Sequence, residues 1–388
     1  MTLLAKEHQI PLTSETFNRF VEPLDSAMQN CTELESRGDR PLKFTFLHQL
    51  KAMLYYHLEE HDSGRHLLSA LKNDELAASE IAPADGVSRG TFFEAINSRG
   101  VEQFIQIFEA LQKKATHILP GAKEYERLGD IVAVDGSLID ACLSMLWADY
   151  RKGSKKAKVH LGFNVSKGLP TKVFLTDGKA DERIYADKII QPGQTGALDR
   201  YYQCHKNLDK WQRDSKHFVV RIKVSSRKTV IRENLVKPDG IIFYDSIVLL
   251  GTKGVNRTQK EVRVVGYKVD QKEYWVATDR FDLSAEDIAL IYKLRWTIES
   301  FFKWWKHHLK VYHLIARSHH GLLVQILSGL ITYLLLAIYC KEKHDEKVSI
   351  KRVRELVYDI RNDIIRQSLH SLYLLNYFLR YSFLNANT

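Results

Sequence analysis

The chain has 388 residues, 45% of them hydrophobic, enough for a sizeable core spread over two or three domains. Its net charge of +10 points to an anionic partner, nucleic acid or a membrane surface. The four cysteines, Cys31, Cys142, Cys204 and Cys340, form no CxxC pair, which excludes a structural zinc centre of ordinary spacing and fits a reducing, cytoplasmic setting.

The opening, MTLLAKEHQIPLTSETF, lacks the long apolar run and small-residue cleavage site of a signal peptide. Residues 1–125 read as helical, with amphipathic spacing in FTFLHQLKAMLYYHL and VEQFIQIFEALQKKA. Within them VSRGTFFEAI (87–96) reads equally as an ordinary packing helix or as the second helix of a helix-turn-helix. In the second reading Ser88 caps the helix and Arg89 points at DNA. The turn-rich LPGAKEYERLGD (119–130) marks a boundary.

From 131 the texture becomes mixed α/β. IVAVD (131–135), KVHLGFNVS, TKVFLTDG, TGALD (195–199) and HFVVRIKV are strand-like, with helices at ADERIYADKII and YYQCHKNLDKWQ. Residues 225–280 hold four β-rich pieces and read as an all-β insertion. Helix returns at SAEDIALIYKLRWTIESFFKWWKHHL, where Ser284 is placed to cap. GLLVQILSGLITYLLLAIYC (321–340) is long enough to span a bilayer, but it carries Gln325, Ser328 and Thr332 and reads better as a helix buried in a core. The expected division is 1–125, 126–224, 225–280, 281–340 and 341–388.

The chemistry starts from YKLRWTIESFFKWWK (292–306). On one helix Tyr292, Arg295, Glu299, Lys303 and Lys306 fall within roughly 80° of one another, with Leu294, Ile298, Phe301, Phe302 and Trp305 opposite. That puts one carboxylate among bases on a helix anchored from behind; a solvated, salt-bridged face has the same pattern. Asp135 closes IVAVD and Asp199 closes TGALD. Acids following apolar runs seldom lack a partner or a metal, although capping aspartates are common there. Three such acids from separate elements would suit a divalent-metal site for phosphoryl transfer. Upstream, RKGSKKAKVH (151–160) offers Arg151, Lys152, Lys155, Lys156 and Lys158 for phosphate neutralisation.

Tyr292, Arg295, Glu299 and Lys306 spell Y-x2-R-x3-E-x6-K, and with Asp135 in VDGS and Asp199 in LDRYY the chain resembles bacterial insertion-sequence DDE transposases of the group bearing that signature. The resemblance covers roughly 130–340. It implies a ribonuclease H-like mixed sheet flanked by helices, with the β insertion inside it and helical regions at both ends. It also implies a metal-binding catalytic triad of Asp135, Asp199 and Glu299, with Tyr292, Arg295 and Lys306 holding the DNA backbone. Mg²⁺ is the implied ion, and Mn²⁺ suits the same ligands. The implied reaction is cut-and-paste transposition: water cuts each element end, and the freed 3′-hydroxyl attacks target DNA. Cutting two ends together implies a homodimer on DNA, acting in the nucleoid and not at a membrane. In this family the second Asp is usually followed by Arg-Gly-Tyr; here Arg200-Tyr201-Tyr202 predicts an altered turn, with Asp209 or Asp177 as the fallback second acid. Two rivals share these features: a structure-specific nuclease that does not transpose, and a DNA-binding protein that has lost catalysis.

Overall fold

The computed structural model describes residues 12–36, 38 and 40–385, so most of the opening stretch read for a signal peptide lies outside the described residues. In chain order the helices and strands are α1 (Glu15–Val21), α2 (Pro23–Met28), α3 (Phe46–Leu58), α4 (Gly64–Asn73), α5 (Arg89–Ser98), α6 (Val101–Ile118), β1 (Ile131–Ala141), β2 (Asp149–Arg151), β3 (Ser154–Asn164), β4 (Leu169–Asp177), α7 (Glu182–Ile189), β5 (Thr195–Leu198), α8 (His205–Arg213), β6 (His217–Arg221), β7 (Lys228–Glu233), β8 (Ile242–Leu250), β9 (Val262–Val269), β10 (Lys272–Thr278), α9 (Ala285–Leu294), α10 (Trp296–His308), α11 (His319–His344) and α12 (Ile350–Asn385). Leu119–Trp304 form one compact unit; residues up to Ile118, together with those from Trp305 onward, form another.

The helical unit is organised on α11, which packs against α1, α3, α5 and α6. It is the described helix apolar and long enough to cross a membrane, and 89% of its apolar 18-residue window is buried inside the structure. Its polar residues are used internally. Gln325 donates to the carbonyls of Val311 and His313 at 3.1 and 2.7 Å, and its side-chain oxygen accepts from the Ile315 N–H. Thr332 bonds the carbonyl of Ser328. The buried His57 donates from Nδ1 to the Leu309 carbonyl and meets the Ser328 hydroxyl at Nε2. Burial pushes the His57 imidazole down to about 4, so it sits there neutral.

The second unit is built on one mixed sheet, ordered β2-β3-β1-β5-β6-β10-β9-β8-β7, with β4 pairing on β3. β3 runs antiparallel to β4 and β1, whereas β1, β5 and β6 are parallel. The β4-β3-β1-β5-β6 portion is therefore the expected ribonuclease H-like arrangement. Helices α7 and α8 cover it through Ala186, Ile189, Leu208 and Trp211, which pack with Val132, Val134, Leu198, Phe218 and Val220. The expected β insertion is present, and it continues the same sheet, because β10 pairs with β6. A buried bidentate pair, Arg263 to Asp245 at 2.8 and 2.7 Å, fastens β9 to β8. The last strand, β7, is an edge whose register shifts between Val230 and Arg232.

Two local expectations are corrected. Asp135 does not end a strand: GSLIDA continues β1 to Ala141, each residue opposite one of β3. The signature helix is not one regular α-helix: Arg295, between α9 and α10, keeps helical dihedrals (φ −52°, ψ −32°) while its N–H bonds the Tyr292 carbonyl, a locally tightened turn.

Candidate active site

The ladder between β1 and β5 pairs Ile131, Val132 and Ala133 with Thr195, Gly196 and Ala197 and then stops. Two residues beyond the last pair stand Asp135, still within β1, and Asp199, one residue past the end of β5. The parallel register thus carries both acids to the same end of the β1–β5 pair, where Asp135 feels the charge of Asp199. Asp135 accepts from the Gly136 N–H at 2.9 Å and Asp199 from the Tyr201 N–H at 2.8 Å. The Asp199 bond caps a short 3-10 turn, Arg200–Tyr202. Tyr201 is not among the residues with positive φ, so this turn needs no glycine there, and the altered motif keeps the acid in place. Asp209 is committed elsewhere, accepting backbone N–H groups of Gln259 and Lys260, and Asp177 accepts from Lys179 N.

Burial is the main cause that pushes the Asp135 carboxyl up, to about 7, and the charges of Asp199 and Glu182 add to it. The Gly136 N–H and the Arg295 guanidinium oppose that shift. Arg295 is buried, lies against the rings of Tyr292 and Trp296, and pairs with Glu299 at 2.7 Å. The expected polar stripe is therefore inverted at its start: Tyr292 and Arg295 are buried, and Glu299 is half-exposed. The anchoring residues Leu294, Ile298, Phe301, Phe302 and Trp305 are all buried. Lys303 is exposed on α10, and Lys306 lies on its last turn.

The basic stretch is a β-hairpin, with Arg151 ending β2 and Lys155, Lys156 and Lys158 on β3. Arg151 and Lys152 are exposed; Lys155 meets Asp149 at 3.4 Å and Lys156 meets Asp140 at 2.6 Å. Lys158 is buried and pairs with Glu182 at 2.9 Å. On the helical unit, Arg89 is exposed at the start of α5, and Ser88 caps that helix by accepting from Thr91 N.

Sequence reasoning missed Glu182. It follows the N-cap Asp181 on α7, where an acid reads as ordinary helix-start charge. Its carboxylate also accepts from Tyr202 OH at 3.1 Å and fills the space over Gly136. The one available signal was the glycine directly after Asp135: a Cβ there would lie 2.7 Å from the Glu182 carboxyl carbon.

The acids at the site offer only oxygen, which suits a hard divalent cation. Asp135 and Asp199 fit as two ligands of such an ion. Among the described residues no three His, Cys, Asp or Glu side chains are gathered closely enough to enclose one, and Glu299 is engaged by Arg295.

The family model described as a transposase DDE domain matches residues 126–335, more than half of the chain and inclusive of all three acids. The chain belongs to the transposase DDE domain family. Domains of this family generally use divalent metal ions. The chain is 28% identical over 209 residues to "Probable transposase for insertion sequence element IS5377" of Geobacillus stearothermophilus, covering 53% of this chain and 55% of that protein. It is 26% identical over 284 residues to "Putative transposase for insertion sequence element IS4SA" of Synechocystis, covering 70% and 77%. It is 28% identical over 199 residues to "Putative transposase y4zB" of Sinorhizobium fredii, covering 50% and 56%. For two of these three relatives the chain spans little more than half of their length.

Proposed function

We propose that this protein is a transposase of the Y-x2-R-x3-E-x6-K group that cuts the ends of its insertion sequence with Mg²⁺ and joins them to target DNA. The observation that carries the reading is the parallel register that brings Asp135 and Asp199 to the same end of the β1–β5 pair, beside the charge of Arg295 that holds Glu299. Asp135, Asp199 and Glu299 would hold the metal, which when bound activates water or a 3′-hydroxyl and stabilises the leaving oxygen. The buried Arg295 and Tyr292 would have to be uncovered to take a backbone phosphate, and an Arg295 so engaged would release the Glu299 carboxylate. Exposed Arg151, Lys152 and Lys303 would track the duplex, and Arg89 would add a contact from the helical unit. The exposed Trp296, lying beside Arg295, offers a face for an unstacked base. Two ends cut together call for a homodimer assembled on DNA in the nucleoid.

The test is strand cleavage of DNA carrying the gene's own flanking ends with Mg²⁺. Wild type should nick at the ends, and Glu299→Gln should bind them and leave them intact. Cleavage that survives Glu299→Gln removes the assignment.

A further inference from the structure

Between the two aspartates and their supports lies an ion pair that the proposed chemistry does not use. Glu182 touches three elements at once. It pairs with Lys158 of β3 at 2.9 Å, accepts from Tyr202 OH at 3.1 Å, and rests on the backbone of Gly136. Gly136 directly follows Asp135, and Tyr202 ends the turn that Asp199 caps. Both ions are largely withdrawn from water, with side-chain exposures of 10% for Lys158 and 17% for Glu182. The Lys158 ammonium has one further partner, the Ala180 carbonyl at 3.1 Å.

We infer that Glu182 and Lys158 are positioning residues: as a neutral pair they join the two carboxylate-bearing elements and set the charge that a cation meets at Asp135 and Asp199. The inference rests on the reading of those aspartates as metal ligands. Its physical content is a balance. The pair is neutral as a whole, and of its two charges it is that of Glu182 that bears on Asp135. Without Glu182 the negative charge beside Asp135 is lost and the Lys158 ammonium keeps only the Ala180 carbonyl and the charge of Asp181, so a divalent cation is held less well. Without Lys158 an uncompensated carboxylate attracts one. In a poorly hydrated setting neither effect is fully screened. A brace that only held shape would make both removals harmful in the same direction.

The experiment measures Mn²⁺ affinity of the full chain without DNA, by electron paramagnetic resonance titration, with thermal unfolding of each variant alongside. Glu182→Gln keeps the shape and an acceptor for Tyr202, and should bind Mn²⁺ about tenfold more weakly. Lys158→Met should bind it at least as tightly as wild type, and the Glu182→Gln/Lys158→Met double variant should return to within about threefold of wild type. The opposite signs and the recovery are what a merely structural role would not give. Wild type that binds Mn²⁺, loses it in Asp135→Asn and keeps unchanged affinity in Glu182→Gln overturns the inference alone. Both single variants weakening by similar factors overturn it too. Mn²⁺ binding that is absent, or that Asp135→Asn leaves unchanged, overturns the metal-ligand reading and this inference with it.

Discussion

Asp135 is held in a setting that disfavours its charge. Its carboxyl is raised from 3.8 to about 7, so between those values the native state binds a proton that the unfolded chain has released. Stability therefore falls as pH rises through this window, and the penalty is complete above pH 7. In chelator, Asp135→Asn should stabilise the protein at pH 8 by on the order of 2–4 kcal/mol and change little near pH 4, read from urea unfolding at both values. An equal effect at the two pH values would count against the burial argument. The neighbouring Gly136 is fixed by a different cause, the Glu182 carboxyl over it. Gly136→Ala should displace that carboxyl and cost about 1–3 kcal/mol in the same assay. The acids themselves were legible in the sequence because each follows an apolar run. Glu182 was not, because nothing local distinguishes it from a charge at a helix start, and its partners are 24 and 20 residues away.

At the level of elements, strands and helices were legible wherever their period was uninterrupted. IVAVD, TGALD and HFVVR lie within or overlap the three parallel strands, and the four pieces of 225–280 are β7 to β10. What was missed depends on pairing. GSLIDA looks like the end of a strand by its glycine and serine, yet β3 supplies partners as far as Ala141. KVHLGFNVS reads as a strand from Lys158, yet β3 begins four residues earlier and takes in Lys155 and Lys156, whose charge hides the pairing. The tightened turn at Arg295 is equally unwritten, since its backbone stays helical and only the hydrogen-bond spacing changes. The hairpin gives a prediction of its own. Arg151→Ala and Lys152→Ala should each weaken DNA binding across all sequences and lower the salt-dependence slope by about one unit at most, measured by titration at several salt concentrations. A change confined to one DNA sequence would instead mean that these residues read bases.

Over the whole molecule, the helical unit unites the beginning and the end of the chain around α11. Amphipathic periodicity tells which helices need partners and not which partners they find, so no local pattern announces that union. The unit has a pH dependence of opposite sign to that of Asp135. His57, lowered from 6.5 to about 4, stays neutral where the unfolded chain is protonated. Its contribution is complete above pH 6.5 and is lost as pH falls towards 4. The unfolding free energy of wild type, read from urea titrations, should drop over that interval by up to about 3 kcal/mol more than that of His57→Gln. Parallel curves for the two proteins would show that the imidazole carries no such penalty.

The edge of the sheet has a consequence for handling the protein. A long sheet that ends in a bare strand invites a neighbour to add to it, and Val230 and Ile231 expose apolar surface on β7. The shift in register between Val230 and Arg232, with Lys228, Arg232 and Glu233 in the same strand, spoils that edge as a template. Deleting Ile231 would straighten the strand, and the purified protein should then gain a thioflavin-positive, sedimenting fraction on storage that the parent lacks. On that result the irregularity guards the sheet edge against fibre formation, a hazard separate from the chemistry of the site.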